Sequence, residues 1–217
     1  MKKINERIEH TLLKPNSSIK EIKSLCEEAV KHNFAGVCVI PFHVKTAREK
    51  LGENSKVKLV TVVGFPFGYN CTSSKVEECK RAINDGVDEI DMVINLAALN
   101  EKNYNFVLND IQSVATYIHL QNKIVKVIIE SGTLDESQIK KACEICEKAE
   151  VNYVKTSTGF NGDGASVDAV KLMREVLPKS IKIKASGGIK DKKFAEELIS
   201  AGADRLGTSS GINLISG

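Results

Sequence analysis

Residues 124–130 read IVKVIIE, an apolar run of strand length with a lysine inside it. Side chains alternate faces along a strand. Val125, Val127 and Ile129 therefore share one face, and Ile124, Lys126, Ile128 and Glu130 share the other. DEIDMVIN at 88–95 divides in the same way, with Ile90, Met92 and Ile94 opposing Glu89, Asp91, Val93 and Asn95. In IKIKA at 181–185, Ile181 and Ile183 oppose Lys182 and Lys184. A purely apolar face suits packing against helices. The mixed face must then point into the interior of a closed barrel. That interior is expected to hold Glu89, Asp91, Lys126, Lys155, Lys182 and Lys184, with Glu130 and Arg205 as further candidates.

Working outward, eight strand-length runs span the chain: 9–13, 36–40, 58–65, 88–95, 124–130, 152–156, 181–185 and 204–208. Helical patterns fill the gaps. Ser18 and Glu21 form a capping box ahead of Ile19, Ile22, Leu25, Cys26, Ala29 and Val30. Further helices are expected at 73–85, 100–120, 135–149, 166–177 and 191–201. The turns that lead into four strands resemble one another: FAGVCV, DGVDEI, AEVNYV and AGADRL. Strands alternating with helices every ~25–30 residues predict a (β/α)8 TIM barrel of α/β class, a single domain over residues 1–217. The rival is an open doubly wound sheet. No G-x-G-x-x-G opens the first unit, which argues against a dinucleotide site there.

A net charge of +3, with basic residues spread evenly, gives no footprint for nucleic acid. No apolar run approaches the ~18 residues of a membrane helix, and MKKINERIEHTLL lacks the apolar stretch of a signal peptide. The six cysteines form no disulfide framework, so free thiols in the cytoplasm are expected. Cys143 and Cys146 lie on an amphipathic helix without a second pair, as core residues do, and the placement of Cys38 on its strand is open. His10, His32, His43 and His119 are too scattered for zinc, and no metal or other cofactor is expected.

Active sites of such barrels lie at the C-terminal ends of the strands. Asp91, Lys155 and Lys184 fall near those ends. A neutral lysine amine attacks a carbonyl to form a Schiff base, yet at an ordinary pKa near ~10.4 only about 1 amine in 2500 is neutral at pH 7. A second ammonium at close range disfavours the charged form. Two lysines in one pocket therefore make sense if one attacks while the other stays charged, with Asp91 relaying protons. A salt-bridged core of Lys and Asp/Glu remains the alternative. The loops ASGGIKD and GTSSGIN after the last two strands are rich in Gly and Ser. Their backbone N–H groups and hydroxyls suit a phosphate, although plain turn chemistry gives the same composition.

EIDMVIN, KVIIESG, VKTSTGF, IKASGGI and GTSSG, in that order and spacing, resemble the deoxyribose-phosphate aldolase family, as do EHTLLKP, GVCVIP and VTVVGFPFG. The resemblance covers nearly the whole chain. It implies a metal-independent class I aldolase on a (β/α)8 barrel, one that reversibly cleaves 2-deoxy-D-ribose 5-phosphate to glyceraldehyde 3-phosphate and acetaldehyde. By motif, Lys155 resembles the Schiff-base former, Lys184 the lysine that lowers its pKa, and Asp91 the proton-relay acid. Gly187, Gly188, Ser209 and Ser210 resemble the phosphate cradle, with Gly159, Ser186 and Gly207 beside them. Some members end in a tail with a terminal tyrosine, whereas the last tyrosine here is Tyr153. Two other readings stand beside this one. Another phosphosugar enzyme on the same scaffold needs the loops but not the lysine pair. A non-catalytic phosphosugar-binding protein tolerates loss of Lys155. The expected partner is a small phosphosugar, not nucleic acid or membrane; a homodimer fits the fold class, but no interface is diagnostic.

Overall fold

The computed structural model describes residues 3–216. Eight parallel strands close in sequence order into a barrel. They are β1 (Ile8–Leu12), β2 (Gly36–Val39), β3 (Lys58–Val63), β4 (Glu89–Val93), β5 (Ile124–Ile128), β6 (Tyr153–Lys155), β7 (Lys182–Ser186) and β8 (Arg205–Thr208). Each matches a run read from the sequence to within a few residues. The helices around them are α1 (Ile19–Lys31), α2 (Val44–Leu51), α3 (Thr72–Asn84), α4 (Leu96–Asn100), α5 (Tyr104–Leu120), α6 (Glu136–Lys148), α7 (Val167–Val176), α8 (Lys192–Ser200) and α9 (Gly211–Ser216). Among the described residues no helix is long and apolar enough to cross a membrane.

The helix expected over 100–120 forms as α5 from Tyr104 onward, and a separate short helix, α4, precedes it. The Asn95 side chain accepts from Ala98 N at the start of α4, and Lys102, at φ 57°, ends that segment. The Asn103 side chain then accepts from Phe106 N to start α5. The capping box at Ser18 forms as expected, but Ile19 and Val30 are exposed while Ile22, Leu25, Cys26 and Ala29 are buried. The inward stripe of α1 is thus narrower than its apolar residues suggested.

The recurring strand-leading turns have a physical basis. The residue just before the strand places a side-chain acceptor on a backbone N–H of the preceding strand. Asp88 accepts from Leu59 N at 2.8 Å, Asn152 from Val125 N at 2.9 Å and Asp204 from Ile183 N at 2.9 Å. Asp88 is also clamped by Arg48 at 2.6 Å. Ala35 holds the corresponding place before β2 and has no such acceptor.

Outward faces of the strands, including Ile90, Met92, Val125, Val127 and Ile183, pack with the helices in one continuous core. The inward faces divide the barrel lumen. One side is apolar: Leu13, Cys38, Val60 and Val62 cluster against Ile40 and Phe65. The other side, from β4 round to β1, is charged. Cys38 therefore faces inward. Lys182 shares the inward phase but lies exposed at the N-terminal mouth, its Nζ 5.5 Å from the Tyr153 ring centroid. It belongs to the rim, not to the enclosed interior expected from the sequence. Outside the barrel, the buried Lys75 of α3 bonds Asp110 of α5 at 2.6 Å and the Val93 carbonyl at 3.0 Å, which ties both helices to the end of β4.

The loop after β3 closes tightly over the same strand end. A Cβ on Gly68 would lie 1.9 Å from the Ile94 carbonyl oxygen, at a backbone φ of 74°. Gly68→Ala therefore meets both a left-handed backbone and a main-chain clash, and is expected to lower stability by about 2–4 kcal/mol. Urea denaturation checks this; an unchanged midpoint would show that the loop is not so constrained.

Candidate active site

Strand phase and register assemble the charged side of the lumen. Asp91 of β4 is the fully buried centre. Its Oδ2 accepts from Lys155 Nζ at 2.9 Å and from Lys184 Nζ at 2.7 Å, and its Oδ1 accepts from Lys126 Nζ at 2.9 Å. Lys155 and Lys184 are paired in the β6–β7 register, which sets their side chains next to one another. Lys126 also meets Glu89 at 2.6 Å. Glu9 of β1 bonds Lys184 and, at 2.9 Å, Arg205, which in turn donates to the Tyr153 hydroxyl. Four cationic side chains thus face the three carboxylates Glu9, Glu89 and Asp91, one positive charge more than the carboxylates balance.

The electrostatics follow from these contacts. Burial alone would raise the Asp91 carboxyl, but the charges of Lys126, Lys155 and Lys184 outweigh it and hold the group well below the usual carboxylate range. Glu9 is opposed by burial in the same way and is held at about 2 by Lys126, Lys184 and Arg205. Burial would lower the Lys184 ammonium, yet Asp91 and Glu9 raise it above the ordinary lysine value. Lys184 is therefore a lasting positive charge beside Lys155. Burial pushes the Cys38 thiol up to about 11, so it stays protonated near neutral pH. Glu9, Cys38 and Asp91 are also grouped closely enough to suggest metal ligands, but lysine ammonium groups stand where a cation would bind their carboxylates.

A cavity of about 300 Å3 opens at the C-terminal end of the barrel. Lys155 lines it; Lys184 and Asp91 lie beneath and do not. Gly159, Ser186, Gly187, Gly188, Gly207 and Ser209 line the same cavity, whereas Ser210 faces the neighbouring one with Ser209. Gly188, at φ 76°, has nothing within 4 Å of the position of a Cβ, so its bare backbone faces open space. The Ser186 hydroxyl is already committed, donating to the Ser157 carbonyl at 2.6 Å. Sequence reasoning overlooked Glu9, Lys14, Lys190 and Thr158. Glu9 was findable from the inward phase of β1, and Lys14 and Lys190 from their places in EHTLLKP and ASGGIKD. Both lysines line the cavity and offer charge to an anion there.

The DeoC/LacD family aldolase model matches residues 3–217. The chain belongs to this aldolase family. A deoxyribose-phosphate aldolase from Caldicellulosiruptor saccharolyticus is 49% identical over 99% of this chain and 98% of its own. Among solved structures, one described as "QR15, an Aldolase" aligns with a TM-score of 0.93 and 41% identity, covering 99% of this chain and 95% of the other. The deoxyribose phosphate aldolase of Aeropyrum pernix, described as having a unique tetrameric structure, aligns with a TM-score of 0.90 and 28% identity over 98% and 89% of the two chains. The aldolase fold, with its closed eight-stranded barrel, thus extends along the whole of this chain.

In this aldolase Glu9 contributes stability that is present above its ordinary value of 4.5 and is lost as pH falls through the folded value of about 2. Thermal denaturation at pH 7, 4 and 2.5 is expected to show a fall in Tm across that window. Glu9→Gln should start from a lower Tm at pH 7, because it leaves Lys184 and Arg205 short of a counter-charge, and lose less than wild type on acidification. Parallel pH curves for the two proteins would refute the linkage.

Proposed function

We propose that this aldolase reversibly cleaves 2-deoxy-D-ribose 5-phosphate to D-glyceraldehyde 3-phosphate and acetaldehyde through a Schiff base on Lys155. The observation that carries this reading is that Lys155, of all the clustered cations, reaches the cavity while bonded to the Asp91 oxygen that also holds Lys184. Loss of one proton from Lys155 leaves three cations facing three carboxylates. The free amine then attacks the substrate aldehyde, and water leaves to give the iminium. The hydroxyl on carbon 3 gives up its proton, the bond between carbons 2 and 3 breaks, and its electrons flow to the iminium nitrogen as an enamine. Glyceraldehyde 3-phosphate departs. The enamine carbon takes a proton, and water hydrolyses the iminium to free acetaldehyde and the amine.

Asp91 is the group that exchanges protons with the reacting lysine, and the Lys184 ammonium is the charge that keeps a second proton off it. Gly159, Ser186, Gly187, Gly188, Gly207, Ser209 and Ser210 supply the phosphate loops, with Lys14 and Lys190 adding positive charge. The names of the relatives support this substrate. On this reading the enzyme serves the breakdown of deoxyribose phosphate, in the cytoplasm. The tetramer of the Aeropyrum pernix protein supports a self-associating enzyme, a homodimer or larger.

Borohydride reduction in the presence of acetaldehyde, followed by peptide mass mapping, is expected to place a stable adduct on Lys155. Lys155→Ala should lower turnover by roughly a thousandfold or more. Phosphosugar binding without an adduct would favour a non-catalytic binding protein. Lys184→Leu removes the neighbouring ammonium, so the rising limb of the pH–rate profile is expected at higher pH; an unmoved limb defeats the tuning role. Lys190→Ala should raise KM for the phosphorylated substrate and leave the Lys155 adduct intact.

A further inference from the structure

Glu130 is a buried carboxylate that the aldol steps above do not employ. It follows β5, is fully buried and holds a left-handed backbone at φ 56°. Burial keeps its carboxyl above the usual range, against the pull of Thr158 and the Lys155 charge. Such a group is costly to bury, so space-filling alone does not account for it. Both of its oxygens serve one residue: Oε1 accepts from Thr158 N at 3.0 Å, and Oε2 accepts from Thr158 Oγ1 at 2.6 Å. Because the only hydroxyl proton of Thr158 goes to Glu130, its oxygen is free to accept from Phe160 N, which it does at 3.1 Å.

Phe160 stands between two cavities. It lines the polar one that contains Lys155, Lys14 and Lys190. It also lines a neighbouring, mainly apolar chamber of about 420 Å3 walled by Ile40, Val62, Phe65 and Pro66, with Glu78 the one charged residue in its lining. Its ring meets Phe65 edge-on, with centroids 5.3 Å apart at 82°. A substrate carbonyl on Lys155 thus has a polar and an apolar space close by, with this ring as part of the partition.

We infer that Glu130 is a positioning residue for substrate selection: through Thr158 it fixes Phe160 as the wall that turns the phosphate-bearing end of the substrate into the polar cavity. The inference rests on the aldol reading of the Lys155 site. A carboxylate suits the role because it accepts at both oxygens. Glutamine would set an N–H against the Thr158 hydroxyl, which would then accept from two sides with its own proton unpaired.

The test compares cleavage of 2-deoxyribose 5-phosphate and of unphosphorylated 2-deoxyribose by wild type, Glu130→Gln, Thr158→Val, Thr158→Ser and Phe160→Ala. Borohydride trapping of acetaldehyde is run alongside. For Glu130→Gln, Thr158→Val and Phe160→Ala, the preference for the phosphorylated substrate is expected to fall about tenfold, through its KM, while the Lys155 adduct still forms. Thr158→Ser, which keeps the hydroxyl, should behave as wild type. Preferences within about twofold of wild type, or a Thr158→Ser variant as impaired as Thr158→Val, would overturn the inference. Phe160 is half-exposed, so its variant decides the matter even if Glu130→Gln fails to fold. Neither adduct nor cleavage in wild type would remove the aldol reading, and this inference with it.

Discussion

One carboxylate, that of Asp91, accepts hydrogen bonds from three lysines inside a closed barrel. Desolvating so many charges costs several kcal/mol per ion. Their mutual attraction offsets this only while every partner is in place, and losing one partner of a buried pair typically costs about 3–5 kcal/mol. A lumen filled with branched apolar side chains would be at least as stable. The charges are therefore better explained by chemistry than by folding. Of these clustered cations, Lys155 is the one that reaches the cavity.

The barrel makes this cluster affordable by dividing its lumen. Leu13, Cys38, Val60 and Val62 keep one side dry, which strengthens every interaction on the other. The helices secure the strand ends from outside, as Lys75 and Asp110 do beside β4. The side-chain acceptors Asp88, Asn152 and Asp204 lock strand to strand at the opposite end. The clustered charges thus sit on strands, and the loops that follow those strands shape the cavity above them.

Much of this was legible in the sequence because a barrel strand carries two separate patterns. Apolar residues on the outward phase gave the eight strands, and charges on the inward phase brought Asp91, Lys126, Lys155 and Lys184 together. Legibility failed where phase alone does not fix depth. Lys182 has the inward phase of Lys184 but stands two residues nearer the mouth, in water. Glu9 lies in a five-residue strand beside His10 and Thr11, where its inward phase is readable but the partners Lys184 and Arg205, 175 and 196 positions away, are not. The start of α5 at Tyr104 rather than at residue 100 rests on the Asn103 cap and a left-handed Lys102, which the helical pattern alone does not show. Ser209 and Ser210 are adjacent in sequence, yet only Ser209 reaches the cavity that contains Lys155, a distinction only the loop geometry makes.

The bond between Glu9 and Lys184 joins residues 175 positions apart, and that between Glu9 and Arg205 spans 196. A growing polypeptide emerging from the ribosome therefore carries Glu9 for most of its synthesis with neither cation to meet. Until the last strands are made, only Lys126, 3.5 Å from Glu9 in the finished barrel, is at hand to offset its charge. Pairing of β8 with β1 therefore both shuts the cylinder and gives Glu9 its two distant counter-charges.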